Sequence, residues 1–143
     1  MGVRRDGREA AIQFLYQVDA HPPGNIDAAL PAFWKQTEEP KNVQEFAEGL
    51  LRGVLGKLPE VDAKIRTLAD NWDFERLAVV DRNILRLAIY EMIFCPEIPP
   101  VVSINEAIEI AKKFSTAESG KFVNGLLDRV KKDLLRPARQ SAG

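Results

Sequence analysis

Three arginines, Arg4, Arg5 and Arg8, lie before and within the first turn of a predicted helix in the stretch RRDGREAAIQFLYQ. A helix N-terminus carries roughly half a positive charge, so each nearby cation costs about 0.3–1 kcal/mol there. The unpaired N–H groups of the same turn bind anions. Because an anion would offset the cost of crowding three cations at this end, the cluster predicts a phosphate-binding site.

The sequence contains no constellation that is typical of catalysis or of a metal site. His21 is the only histidine, lies in the turn HPPGN and has no partner for a catalytic triad. Cys95 is the only cysteine, which excludes an internal disulfide and a cysteine-based zinc cluster, and we interpret it as a small buried hydrophobe. No glycine-rich phosphate loop is present. We therefore expect a protein that is not an enzyme and has no catalytic residue, metal or cofactor.

The composition is typical of a soluble globular protein. The chain has 143 residues, of which 45% are hydrophobic and 29% charged, enough for one domain with a core. The first residues lack the apolar run of a signal peptide. The longest apolar stretch, LAIYEMIFC, is interrupted by Glu91 and is too short to span a bilayer. The sequence predicts a cytoplasmic protein with no membrane contact.

Charge is distributed unevenly along the chain. Residues 1–17 carry a net charge of +1 and residues 121–143 a net charge of +4, so the residues between them carry −6 and the whole chain −1. Basic ends suit a side that faces phosphate, and an acidic centre suits a separate, basic partner. The alternative interpretation is that these are ordinary solvated surface charges, and composition alone favours it.

Helical periodicity runs through almost the whole sequence, and no segment alternates as a strand does. The first helix has an apolar stripe that comprises Ala11, Phe14, Leu15 and Val18. HPPGN ends it, and a short helix through IDAALPAFW follows. A third helix has the clearest apolar face, made of Val43, Phe46, Ala47, Leu50, Leu51, Val54 and Leu55. Asn42 and Glu45 have the spacing of a capping box at its start.

Two further helices are predicted in the centre of the chain. Pro59 can occupy the first position of a helix whose apolar face comprises Val61, Ile65, Leu68 and Trp72. Asp73 can then cap the region that follows. Residues 79–94 are apolar nearly all round, which is typical of a buried central helix.

Two more helices are predicted in the last third of the chain. Ser103 and Glu106 have the spacing of a second capping box. The final helix follows STAESG, and its apolar stripe comprises Phe122, Leu126, Leu127 and Val130. The expected fold is all-α, with about seven helices and short connections; we expect residues 1–136 to form one domain and residues 137–143 a disordered tail.

Four segments together resemble one family. RRDGREAAIQFLYQ, VDRNILRLAIYEM, VSINEAIEIAKKF and KFVNGLLDRV are similar, in this order and spacing, to the NusB family of transcription antitermination factors. The resemblance implies an all-helical domain that is built from two packed helical subdomains and has no enzymatic activity. It also implies binding of boxA, a single-stranded RNA element of ribosomal RNA leaders, together with ribosomal protein NusE in a complex on RNA polymerase.

The resemblance assigns RNA contacts to two segments. In the first they are Arg4, Arg5, Arg8, Gln13 and Tyr16, and in the second Glu118, Lys121, Phe122 and Asn124. Cations for the backbone and flat side chains for the bases suit single-stranded RNA. Tyr16 and Phe122 can also be core or rim aromatics, and Asn124 can simply shape the start of the last helix. Asp6 and Gly7 interrupt the arginine run, which lowers the local charge and loosens the helix start.

The resemblance places the NusE contact on the central helices. Within FERLAVVDRN, the candidates are Glu75, Arg76, Asp81 and Arg82, whose alternating signs suit an interface that selects its partner by charge. Asp81 can instead serve as an acid that caps the long buried helix.

Two other functions remain open from the sequence. The first is a helical module that forms a homodimer and hides the arginine face. The second is the RNA-binding domain of a ribosomal RNA methyltransferase, which we consider less suitable because only thirteen residues follow Val130.

Overall fold

The computed structural model describes residues 2–69 and 74–135, and these ranges contain α-helices but no β-strand. The helices are α1 (Val3–Ala20), α2 (Ile26–Thr37), α3 (Lys41–Gly56), α4 (Leu58–Leu68), α5 (Val79–Phe94), α6 (Pro100–Phe114) and α7 (Ala117–Leu135), with a 3-10 turn at Phe74–Arg76. The all-α prediction is confirmed. The chain divides into two compact units between Lys57 and Leu58. The predicted tail, Trp72 and Asp73 lie outside the described residues.

The first unit is built from α1, α2 and α3. The predicted stripe of α1 is buried except for Val18, which is half-buried. Phe14 of α1 meets Phe33 of α2 edge to face, with 5.2 Å between ring centres. The indole nitrogen of Trp34 donates to Glu48 Oε2 at 2.6 Å and so joins α2 to α3. Apolar packing together with this hydrogen bond holds the three helices in one core.

Gly7 permits a close approach between α1 and α3, which pack extensively against each other. A Cβ atom at Gly7 would lie 2.5 Å from Cδ2 of Phe46, a separation at which the atoms collide. The prediction that Gly7 loosens the helix start is wrong, because α1 is continuous from Val3 and Gly7 is buried within it.

Both predicted capping boxes are wrong, because the helices begin earlier. Pro40 precedes α3 and Pro99 precedes α6, and neither start has a side-chain cap. A proline has a fixed φ and no N–H to satisfy, so it suits a helix start. Asn42 therefore lies inside the first turn of α3, and Ser103 lies deeper inside α6. Sequence analysis missed a true cap at Asn25, whose side chain accepts from the Asp27 N–H at 2.9 Å.

The second unit surrounds α5, whose observed bounds are those predicted from its all-round apolarity. Helix α5 packs against α4, α6 and α7. Three charged residues of α5 are nonetheless buried: Asp81, Arg86 and Glu91. They are five residues apart, and at about 100° per residue each step turns the side chain by about 140° around the axis. The three side chains therefore point in three well-separated directions.

Each buried charge of α5 meets a different helix. Arg86 forms two parallel hydrogen bonds to Asp62 of α4, at 2.8 and 3.0 Å. Glu91 accepts from the Ser103 hydroxyl of α6 at 2.8 Å, which explains why Ser103 is not a cap. Asp81 accepts from the Ser119 hydroxyl of α7 at 3.0 Å. Polar bonds thus fix α4, α6 and α7 around α5.

We expect Asp62→Ala to lower the free energy of unfolding by about 3–5 kcal/mol, because it leaves the Arg86 guanidinium buried without its carboxylate. Urea denaturation measures this loss. Asp128→Ala is the matched control, since Asp128 pairs with Lys132 on the exposed side of α7, and its cost should stay below about 1 kcal/mol. Equal losses in the two variants would contradict a special role for the Asp62 and Arg86 pair.

Two glycine variants test the close contact of α1 with α3. Gly7→Ala should lower the free energy of unfolding by about 1–3 kcal/mol, because the new methyl group displaces the Phe46 ring. Gly49→Ala has open space around the added Cβ and should raise stability by up to about 1 kcal/mol through helix propensity. Thermal melts of both variants measure the difference, and stabilisation by Gly7→Ala would refute the contact.

Candidate functional site

The arginines at the start of α1 differ in exposure. Arg4 is exposed and Arg5 is half-buried, whereas Arg8 is only 3% exposed. The guanidinium carbon of Arg8 lies 5.7 Å from the centre of the Phe46 ring, within range of a cation–π interaction. The expectation that Arg8 is an accessible phosphate ligand is therefore corrected: its side chain belongs to the contact between α1 and α3.

A sequence signal for the burial of Arg8 existed. Arg8 precedes Ala11 by three residues and Leu15 by seven, and this spacing places all three on one face of the helix. The sequence analysis placed Arg8 in solvent because its side chain is charged. Long cationic side chains can cover apolar surface with their stems, so position on the stripe is the better guide here.

The remaining candidates on α1 are accessible. Gln13 is exposed, and Tyr16 is 48% exposed, so Tyr16 is not a core residue. Counting from Arg5, the steps of eight and eleven residues to Gln13 and Tyr16 keep all three on one face. A cation, an amide and an aromatic ring therefore share the solvent face of α1.

A cavity of about 260 Å³ lies beside this face. Asp6, Glu9, Gln13, Thr37 and Glu39 line it. Three carboxylates disfavour the approach of a phosphate, which restricts an anion to the end of α1 that carries Arg4.

The candidates on α7 occupy its first turns. Glu118, Lys121 and Asn124 are exposed and Phe122 is half-buried. Since α7 begins at Ala117, Asn124 lies well inside the helix, and the alternative that it shapes the helix start is wrong. Spacings of three and four residues place Lys121 and Phe122 next to Glu118 on the helix surface.

Hydroxyl groups hold the start of α7. The Thr116 hydroxyl accepts from the Ser119 N–H at 3.0 Å, as a helix-capping side chain does. The Ser115 and Ser119 hydroxyls are 2.8 Å apart. Sequence analysis had started the helix after STAESG and so missed this cap, although a threonine three residues before a polar residue is a recognisable start signal.

Among the candidate partner residues, Glu75 and Arg76 directly follow Phe74 in the chain, and Arg82 contacts its ring. Glu75 and Arg76 are exposed, and Arg82 is half-buried. The guanidinium carbon of Arg82 lies 5.3 Å from the centre of the Phe74 ring, and that of Arg66 lies 4.2 Å from it. Phe74 is itself buried and was not singled out from the sequence, yet it positions the arginines on both sides.

Asp81 differs from the other partner candidates because it is 8% exposed. Its Oδ2 atom accepts from Ser119, while its Oδ1 atom is buried without a hydrogen-bond partner. Burial raises the pKa of Asp81 above its ordinary value of 3.8, an effect that the hydroxyls of Ser119 and Ser115 partly oppose. Asp81 precedes Leu85 and Ala88 by four and seven residues, so the sequence already placed it on the same face of α5 as these apolar residues.

One cavity of the second unit joins the two predicted surfaces. Its volume is about 360 Å³, and its lining includes Arg76 and Asp81 on one side and Glu118, Ser119 and Phe122 on the other. The sequence had assigned the first pair to a protein partner and Glu118 and Phe122 to RNA. The structure brings residues from both sets together.

Two other classes of site receive no support within residues 2–69 and 74–135. No helix in these ranges has the length and hydropathy needed to cross a membrane. The same ranges hold no group of three or more His, Cys, Asp and Glu side chains arranged to bind a metal ion.

Known proteins provide a direct comparison. The NusB family model matches residues 5–132. The transcription antitermination protein NusB of Anaeromyxobacter dehalogenans (strain 2CP-1) is 47% identical over 138 residues, which cover 96% of this chain and 95% of that protein. The structure of T. maritima NusB is 42% identical, with a TM-score of 0.81 and 90% of each chain covered.

A third comparison concerns an assembly. A chain in the crystal structure of antitermination factors NusB and NusE in complex with dsRNA is 27% identical, with a TM-score of 0.82. The alignment covers 93% of this chain and 98% of that chain. The agreement extends over nearly the whole length in both sequence and fold, and the chain therefore belongs to the NusB family.

Proposed function

We propose that this chain is a transcription antitermination factor that binds boxA-type single-stranded RNA of ribosomal RNA leaders. It acts in the cytoplasm with ribosomal protein NusE, in a complex on RNA polymerase, and has no catalytic activity. The observation that carries the proposal is the exposed set of cations, amides and aromatic rings on α1 and α7. The similarity of this chain to one in a crystal structure of NusB and NusE with dsRNA supports NusE and RNA as the partners.

The proposed RNA contacts divide by chemistry. Arg4, Arg5 and Lys121 contact phosphates, because they are the exposed or half-exposed cations of the two segments. Arg8 positions the start of α1 through Phe46 and does not contact RNA directly.

Base recognition falls to the uncharged groups and to one acid. Tyr16 and Phe122 stack against bases, and Gln13, Asn124 and Glu118 contact base edges by hydrogen bonds. These side chains can select a sequence, whereas the cations cannot.

The proposed NusE contact lies on the segment around Phe74. Glu75 and Arg76 are exposed and opposite in charge, and Arg82 lies beside them. Asp81 is too buried to reach a protein surface directly, so we remove it from the partner contact. Mixed charges of this kind favour the correct partner over others more than they raise affinity.

Selection from total RNA tests the proposed function. The chain is incubated with total bacterial RNA, with and without NusE, and the bound fragments are sequenced. We expect ribosomal leader fragments to be enriched, and more strongly with NusE. A duplex of the selected sequence should compete only weakly with the single-stranded RNA for the chain, because its bases are not available for stacking. Random fragments in both samples would reject the proposal.

The salt dependence of binding tests the cation assignment. With three phosphates neutralised, log affinity should fall against log salt with a slope of about −2, since each contact contributes about −0.7 for a single strand. Arg4→Ala and Lys121→Ala should each weaken binding and reduce the slope by about 0.7.

Lys132→Ala is the matched control for these variants. Lys132 is an exposed cation on α7 that pairs with Asp128 at 3.1 Å, and it lies about 16 Å from Lys121 along the helix axis. Its slope should equal that of the wild type. An unchanged slope in Lys121→Ala would exclude Lys121 from the RNA surface.

A further inference from the structure

A short chain of hydrogen bonds joins the start of α7 to the side chain of Asp81. Ser119 donates its single hydroxyl hydrogen to Asp81 Oδ2 at 3.0 Å. The Ser115 hydroxyl lies 2.8 Å from Ser119 Oγ. The Thr116 hydroxyl donates to Ser119 Oγ at 3.2 Å. Ser119 thus accepts a hydrogen bond from the preceding loop and donates its own to a buried carboxylate.

We infer that Asp81 is a positioning residue for the RNA-binding turn of α7, acting through Ser119. The inference rests on the proposed function, because it assumes that Glu118, Lys121 and Phe122 contact RNA. Glu118 is adjacent to Ser119 in the chain, and Lys121 and Phe122 follow it by two and three residues. A bond that fixes Ser119 therefore fixes the direction in which all three side chains project.

The location of the bond supports this role. Asp81 and Ser119 line the same cavity as Glu118 and Phe122, so loss of the bond would let the first turn of α7 shift at the edge of an open space. Val123, Leu127 and Val130 are fully buried and hold the rest of α7 in the core. The first turn depends more on its polar contacts, and a local shift there need not unfold the unit.

The carboxylate is retained although it is not favourable for folding. Asp81 is buried, and its Oδ1 atom has no hydrogen-bond partner. A buried acceptor without a partner destabilises the folded state. An alanine at this position would avoid the buried charge but could not accept from Ser119. The acceptor is therefore the feature that positioning requires, and the negative charge is not.

Asparagine separates these two properties. Asp81→Asn keeps an oxygen that can accept from Ser119 and removes the charge, whereas Asp81→Ala removes both. Ser119→Ala removes the donor and leaves Asp81 in place. Asp128→Ala, on the exposed side of the same helix, is the matched control.

The affinity of each variant for a labelled single-stranded boxA-type oligoribonucleotide is measured by fluorescence anisotropy, without NusE. We expect Asp81→Ala and Ser119→Ala to bind at least about fivefold more weakly, as expected when a hydrogen bond to a charged group is lost. Asp81→Asn and Asp128→Ala should bind within about twofold of the wild type. Rescue by asparagine is the result that a purely electrostatic role would not give.

Thermal melts supply the second readout. Because the folded pKa of Asp81 is raised, the folded state holds the negative charge less readily than the unfolded state. Asp81→Asn should therefore melt at a higher temperature than the wild type at pH 7. The advantage should disappear as the pH falls below 3.8, where the carboxyl is protonated in both states. A lower melting temperature of Asp81→Asn at pH 7 would contradict the expectation that asparagine keeps the hydrogen bond from Ser119.

Each other outcome has a definite meaning. If the wild type binds no single-stranded RNA either alone or with NusE, the proposed function fails. If it binds and both Asp81→Ala and Ser119→Ala bind equally well, the positioning role is overturned and RNA binding stands. If Asp81→Asn loses RNA affinity as alanine does, the negative charge itself is required and a neutral acceptor is not sufficient. If Asp81→Asn weakens only NusE binding, Asp81 contacts the partner; either result overturns the inference.

Discussion

The burial of α5 is the constraint on which the second unit depends. A helix enclosed by three others must satisfy every polar side chain that it buries, because an unpaired charge in a core costs several kcal/mol. Arg86 and Glu91 meet this requirement by bonding to α4 and α6, and Asp81 meets it only in part, because one of its oxygens bonds to α7 and the other has no partner. Apolar packing alone would allow neighbouring helices to slide or rotate. The three polar bonds select one arrangement, and the surface of α7 is part of that arrangement.

Much of the fold could be predicted from periodicity. The bounds of α5 followed from its apolar surface, and the buried faces of α1 and α3 followed from residue spacing. The starts of α3 and α6 could not be predicted by the same means. Asn42 and Ser103 have the local pattern of caps, but both helices begin earlier, directly after Pro40 and Pro99. The Ser103 hydroxyl bonds instead to a residue of another helix. A capping pattern describes neighbours in sequence and carries no information about such a distant partner.

The candidate site was predicted as a set of residue types, and the structure separates that set by exposure. Arg4, Gln13, Tyr16 and Lys121 are accessible, while Arg8 and Asp81 are buried. The sequence analysis placed both buried residues on the surface because they are charged, although each shares a helix face with apolar residues. Sequence spacing also could not show that Asp81 and Ser119, 38 residues apart, are joined by a hydrogen bond. Both buried residues support exposed neighbours, which is a role that residue type alone does not reveal.

The five-residue spacing of the charged residues in α5 has a consequence for changes in chain length. Inserting or deleting one residue between Asp81 and Glu91 would rotate everything beyond it by about 100° and shift it by about 1.5 Å along the axis. The displaced charges would then face apolar side chains. The connection at residues 21–25 carries no such angular relationship and can vary in length at small cost. A change in length within α5 is therefore costly, whereas a change in a segment that joins two helices is not.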